Sequence, residues 1–129
     1  MNFYKKLEIK MDLASKRGDL EKVKYLYSRG KKCTFRAMDL ASTNGHLEIV
    51  KYLHSIGADC TTYAMIFASK NGYLDIVKYL YSIGKRCPTY EYAIGYALQN
   101  GHFKVVEYLE SIEFKPSEEP CLSEINWLI

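Results

Sequence analysis

The chain reads NGHLEIVKYLHSIGADC from residue 44 to residue 60, and it contains nearly the same seventeen residues three more times. The other copies begin at residues 17, 71 and 100. A glycine is the second residue of every copy; the first three glycines are 27 residues apart and the fourth follows 29 residues later. Self-similarity at a fixed period of roughly 20–50 residues is typical of repeat proteins, whose units are stable only when stacked on one another.

Each repeat has the pattern of two short helices. In the second repeat, Thr34 is a suitable N-cap, and Ala37 and Ala41 share one helical face that permits close approach. The pair Asn44-Gly45 ends this first helix, since glycine tolerates the left-handed backbone of a C-cap. The second helix carries an apolar stripe too wide for one neighbour, formed by Leu47, Ile49, Val50, Leu53 and Ile56.

These patterns predict an all-α protein, a helical-repeat solenoid of four stacked helix–turn–helix units. The repeats span about residues 7–33, 34–60, 61–87 and 88–116 of a domain that covers residues 1–116. Lys22 and Arg29 replace isoleucines of the middle repeats, which predicts a water-exposed N-terminal end. Residues 117–129 form a tail that we expect to cap the fourth repeat, with a partner-binding segment as the alternative. Its apolar residues are Leu122, Ile125, Trp127, Leu128 and Ile129.

Length, charge and cysteine spacing limit the class of protein. A chain of 129 residues is long enough for one domain, and a net charge of +3 does not by itself indicate nucleic-acid binding. No apolar run reaches membrane-spanning length, and we read no secretory signal at the N-terminus. Cys33, Cys60 and Cys87 recur once per repeat, about 8–10 Å apart if the repeats stack, which is too far for disulfides. We therefore expect reduced thiols and a reducing, cytoplasmic compartment.

The repeats resemble those of a known family. The text A-S-x-N-G-H-L-E-I-V-K-Y-L-x-S-x-G-A-D is similar to the ankyrin repeat core A-A-x-x-G-H-x-x-I-V-x-x-L-L-x-x-G-A, and the likeness extends over residues 7–116. The usual ankyrin period is about 33 residues and includes a β-turn finger. Here the period is 27 and the D-x-x-G finger is missing, so we expect repeats without long β-hairpin fingers. Such short repeats resemble those of giant DNA viruses and amoebae; a viral chain would act in the host cytoplasm.

The resemblance implies a non-catalytic module that presents a rigid helical face to a protein partner. Positions that vary between repeats are candidates for that face, and in the first helices they lie opposite the alanines. Arginine and tyrosine are favoured anchors in interfaces. The candidate partner-binding residues are Arg36, Asp39, Tyr63, Ile66, Lys70, Tyr92 and Gln99, and the same columns also hold Ile9, Asp12, Lys16, Thr43 and Gly95.

The sequence leaves two alternative functions open. One is a structural protein that self-associates through its end repeats or tail. The other, less favoured, is nucleic-acid binding through Lys24, Lys51 and Lys78, which recur beside tyrosines. An acid precedes each lysine by three residues, and Lys104 and Glu107 invert the pair, so intrahelical ion pairing is the simpler interpretation.

No pattern indicates catalysis. We find no nucleophile at a recognisable spacing from a histidine and no phosphate-binding glycine loop. Cysteine and histidine pairs with metal-ligand spacing are also missing from the sequence. We therefore expect no enzyme, cofactor, metal, small-molecule substrate or membrane association.

Overall fold

Each repeat folds into two consecutive α-helices joined by a tight turn. The computed structural model describes residues 3–113, with side chains from residue 10 onward, and every regular element in that range is an α-helix. In chain order the helices are α1 Phe3–Arg17, α2 Leu20–Ser28, α3 Phe35–Thr43, α4 Leu47–Ser55, α5 Thr62–Lys70, α6 Leu74–Ser82, α7 Glu91–Gln99 and α8 Phe103–Glu113.

The helices form two rows. The first row contains α1, α3, α5 and α7, the second contains α2, α4, α6 and α8, and each first-row helix also packs on the helix that follows it. The first-row helices approach one another more closely than the second-row helices do. This unequal spacing curves the stack toward the first row, whose outer face is therefore concave. The predicted all-α solenoid of stacked helix pairs is confirmed.

Small and apolar side chains recur at the positions that stacking demands. The alanine column allows the first-row helices to approach closely, and it is buried in all four repeats: Ala14, Ala41, Ala68 and Ala97. In the second row the buried columns are Val23, Val50, Val77 and Val106, and Leu26, Leu53, Leu80 and Leu109. Recurrence between repeats therefore identified the core correctly.

The predicted helix boundaries follow from caps. The Thr34 hydroxyl accepts a hydrogen bond from the Arg36 N–H at 3.1 Å, which confirms Thr34 as the N-cap of α3. Gly45 follows the end of α3 with φ +82°, a conformation that only glycine adopts readily. A Cβ at Gly45 would also lie 2.7 Å from the ring of Tyr73, so this turn is fitted to the next repeat.

The two ends of the stack differ in polarity. Lys22 and Arg29 are exposed, whereas the isoleucines at the position of Lys22, Ile49 and Ile76, are buried, as predicted. At the other end Leu98 is 50% exposed and Phe103 is 68% exposed, because no further repeat among the described residues covers them. The predicted capping tail, residues 117–129, lies outside the described residues.

Candidate partner-binding surface

Successive repeats are joined by an aspartate–threonine contact at two junctions. The Thr34 hydroxyl donates to the Asp12 carboxylate, with Oγ1 3.0 and 3.2 Å from its two oxygens. At the next junction the Asp39 carboxylate accepts from the Thr61 hydroxyl at 2.7 Å and from the Thr61 N–H at 2.9 Å. These bonds tie the start of one first-row helix to the preceding one.

Asp39, one of the predicted partner-binding residues, therefore serves to hold two repeats together. It is half-buried, and both carboxylate oxygens already accept hydrogen bonds from the next repeat. Burial raises the pKa of the Asp39 carboxyl above its usual range, although the Thr61 hydrogen bonds act in the opposite direction. Its helical position turns it toward the neighbouring repeat rather than toward solvent, so we leave it out of the candidate surface.

The third junction lacks this contact. Ile66 stands at the aspartate position and Pro88 at the threonine position, so neither the carboxylate nor the N–H is present. The loop between α6 and α7, which contains Pro88, is also two residues longer than the corresponding loops of the earlier repeats. A cleft of about 520 Å³ lies between α5 and α7 at this junction, which we call the aromatic cleft. It is lined by Thr62, Tyr63, Ile66, Phe67, Cys87, Pro88, Thr89, Tyr92 and Tyr96.

Large aromatic side chains form the walls and rim of the aromatic cleft. Tyr63 stacks on Phe67, with ring centroids 5.6 Å apart and 13° between the planes. Tyr63 is 58% exposed and Tyr92 is 66% exposed, one on each helix that borders the cleft. The Lys70 ammonium lies 5.3 Å from the Tyr96 ring centroid and 5.9 Å from that of Phe67. The site is thus apolar inside, with a cation beside two of the rings that line it.

The structure brings together some of the predicted residues and separates others. Tyr63, Ile66 and Tyr92 line the aromatic cleft, and Lys70 touches two of its rings. Arg36 is exposed on α3 and Gln99 is exposed at the end of α7, and neither lines the cleft. Among the other column members Asp12 is buried, while the side chain of Ile9 lies outside the described residues.

Sequence reasoning missed two aromatic residues of the cleft, Phe67 and Tyr96, and also Thr62, Cys87, Pro88 and Thr89. The prediction joined residues 63, 66 and 70 on one face, but residues four apart also share a face, which places Phe67 directly between Tyr63 and Lys70. The corresponding column changes from Leu13 and Leu40 in the first two repeats to aromatic residues in the last two. That change was a readable signal.

The lysine column on the second-row helices has a stacking role. Lys24, Lys51 and Lys78 each lie over a tyrosine ring of the next repeat, at 5.8, 5.9 and 5.6 Å from the centroids. The rings are Tyr52, Tyr79 and Tyr108, and an aromatic edge from the preceding repeat also meets each of them. The predicted intrahelical ion pairs are wrong: among residues 10–113 the ion pair within 4 Å is Lys85–Asp59.

Histidine and cysteine side chains serve the packing of the repeats. His46 lies over the Gly18 turn, and its Nε2 is 2.9 Å from the Lys16 carbonyl oxygen. Cys33, Cys60 and Cys87 are free thiols whose pKa values are raised by burial, that of Cys60 to about 11. Within the described part of the chain, no group of three or more metal-ligating side chains is arranged for an ion. No helix described there has the length and apolarity to cross a membrane.

Comparison with known families agrees with this geometry. The family model described as "Ankyrin repeats (3 copies)" matches residues 38–118, well over half of the chain. A second model, "Ankyrin repeats (many copies)", matches residues 11–54. No curated protein matches the chain in a sequence search.

Proposed function

Because this chain belongs to the ankyrin repeat family, whose repeats are generally protein–protein interaction modules, we propose that it binds a partner protein. The proposed site is the aromatic cleft between α5 and α7, which would hold a segment of that partner. The family is typically a non-catalytic scaffold, and we propose a non-catalytic role here too.

One observation carries the proposal. Tyr63 and Tyr92 expose more than half of their surface beside an apolar cleft. Tyrosine is enriched among the residues that dominate interface energies, and ligand sites are concave and mainly apolar with a few polar groups at defined places. The aromatic cleft has both properties.

The walls of the cleft are held by the core. On α5 and α7, the helices that border the cleft, Ala64, Ala68, Ala93 and Ala97 are completely buried. A surface fixed in this way loses little conformational entropy on binding, so more of the contact energy appears as affinity.

The two alternative functions receive less support. Head-to-tail assembly would bury Lys22 and Arg29 against another copy, and burying unpaired charges is costly. Repeat stacking, in which each of these lysines lies over a tyrosine ring of the next repeat, explains the recurrence of the lysines proposed for nucleic-acid binding. The reducing, cytoplasmic compartment remains a prediction that rests on the free thiols.

The proposal is tested by selecting peptides from a random phage-displayed library on the immobilised chain and measuring their affinities. Tyr63→Ala combined with Tyr92→Ala should raise Kd about tenfold or more, because two exposed anchors are lost. Tyr25→Ala is the matched control, since Tyr25 is 59% exposed but lies on α2.

Both variants should keep the thermal midpoint of the native chain, because exposed side chains contribute little to folding. Selected peptides that bind the double variant as tightly as the native chain would place the binding site elsewhere.

A further inference from the structure

The aromatic cleft has a charge at one end that nothing else in the described structure neutralises. Lys70 is exposed, and no carboxylate of residues 10–113 lies within 4 Å of its ammonium. Its Nζ is held instead over the rings of Phe67 and Tyr96. A cation placed against two ring faces remains available to an incoming anion.

This placement distinguishes Lys70 from its counterparts in the other repeats. Thr43, at the same position of α3, donates its hydroxyl back to the Asp39 carbonyl oxygen. Lys16 and Gln99, the other counterparts, make no ring contact within the described residues. The cation over two rings therefore coincides with the junction that opens into a cleft.

The apolar anchors and the cation are separated by a defined length. Tyr63 and Lys70 lie seven positions apart on α5, which corresponds to about 10 Å at a rise of roughly 1.5 Å per residue. An extended peptide in the polyproline II conformation advances about 3.1 Å per residue with three residues per turn, so side chains three residues apart face the same side and lie about 9 Å from each other. Lys70 is in the last turn of α5, whereas Tyr63 is in its first turn.

On the basis of the proposed function, we infer that the partner segment is extended in the polyproline II conformation and carries an apolar side chain three residues away from an aspartate or glutamate. The apolar side chain enters between Tyr63 and Tyr92, and the carboxylate pairs with Lys70. The positive charge of Lys70 at one end of the cleft sets the direction in which the segment lies. The recognised chemistry is thus an apolar anchor with an acid at fixed spacing.

The test uses the random phage-displayed library on the native chain and on Lys70→Glu. Peptides selected on the native chain should carry an acid three residues from an aliphatic or aromatic residue. Lys70→Glu should select lysine or arginine at that position instead. For a synthetic peptide from the native selection, Lys70→Gln should raise Kd about fivefold, the effect of one solvent-accessible ion pair.

Lys16→Glu is the matched control. It makes the same charge change at the equivalent position two repeats away, which is about 16–20 Å for units about 8–10 Å apart. That distance exceeds the Debye length of about 8 Å at 0.15 M salt, so a contact with Lys70 predicts no change for Lys16→Glu. An equal effect of both variants would show that only net charge matters and would overturn the inference.

The outcomes separate this inference from the proposed function. Peptides that depend on Tyr63 and Tyr92 but show no acid at the fixed spacing, with no response to Lys70→Gln, would overturn the inference alone. Peptides that ignore the double tyrosine variant would overturn both. Acid enrichment that reverses with Lys70→Glu supports both.

Discussion

At the scale of single residues, Asp39 shows how one side chain joins two repeats. Its carboxylate accepts two hydrogen bonds from Thr61, one of them from the N–H at the start of the next first-row helix. A half-buried donor that loses its acceptor costs about 1–3 kcal/mol. The identity of this residue therefore follows from stacking, and a polar column in a repeat protein is not always a binding column.

We predict that Asp39→Ala lowers the free energy of unfolding by about 1–3 kcal/mol, because the Thr61 hydroxyl and N–H lose their partner. Asp39→Asn should cost less, because the amide can still accept from the N–H and donate to the hydroxyl. Urea denaturation followed by circular dichroism measures both. Glu48→Ala, an exposed acid on α4, is the control, and an Asp39→Ala chain as stable as that control would contradict the assignment.

The sequence predicted the parts of the structure that a single repeat determines. Thr34 caps its own helix, and the alanine column and the charged residues Lys22 and Arg29 could be identified by comparing one repeat with the next. The predictions that failed concern side chains whose contacts lie in a different repeat. Lys51 lies over the Tyr79 ring of the next repeat and does not pair with Glu48 of its own helix. The position of Tyr79 depends on how the repeats stack, and residue spacing along one helix carries no information about stacking.

At the scale of elements, the turn between paired helices is fitted to the next repeat. Gly72 has φ +81°, and a Cβ there would lie 2.5 Å from Nδ1 of His102. Gly30, in a loop between repeats, has the same φ of +81° but nothing within 4 Å of that Cβ position. Comparing Gly72 with Gly30 separates the effect of backbone strain from the effect of lost packing, because the two glycines have the same φ and differ only in what surrounds the Cβ position.

We predict that Gly72→Ala destabilises the chain by at least about 1 kcal/mol more than Gly30→Ala does. Both substitutions carry the strain of a left-handed backbone, but only the first displaces the neighbouring ring. Thermal and urea denaturation of the two variants provides the comparison. Equal losses would mean that His102 moves aside without cost and that the turn is not a stacking contact.

The third junction is an exception at the scale of elements. Ile66 and Pro88 together remove the aspartate–threonine contact present at the first two junctions, and the aromatic cleft lies where that contact is lost. The departure from the repeat was visible in the sequence. The cleft itself was not, because its depth depends on how α7 sits beside α5.

At the scale of the whole molecule, stacking gives the two rows different tasks. The second row is occupied by lysine–tyrosine contacts between successive repeats. The first row presents a concave face on which Tyr63 and Tyr92 are exposed. Unequal spacing of the rows and the change from leucine to aromatic residues place the candidate site toward the C-terminal half of that face.

The most direct test of this account is an NMR titration of the ¹⁵N-labelled full chain with a peptide from the library selection. If the aromatic cleft is the site, the largest amide shift changes will fall in residues 62–70 and 87–96, and Tyr63→Ala with Tyr92→Ala will remove them. Shift changes centred on the second-row helices, or unchanged by the double variant, would contradict the account.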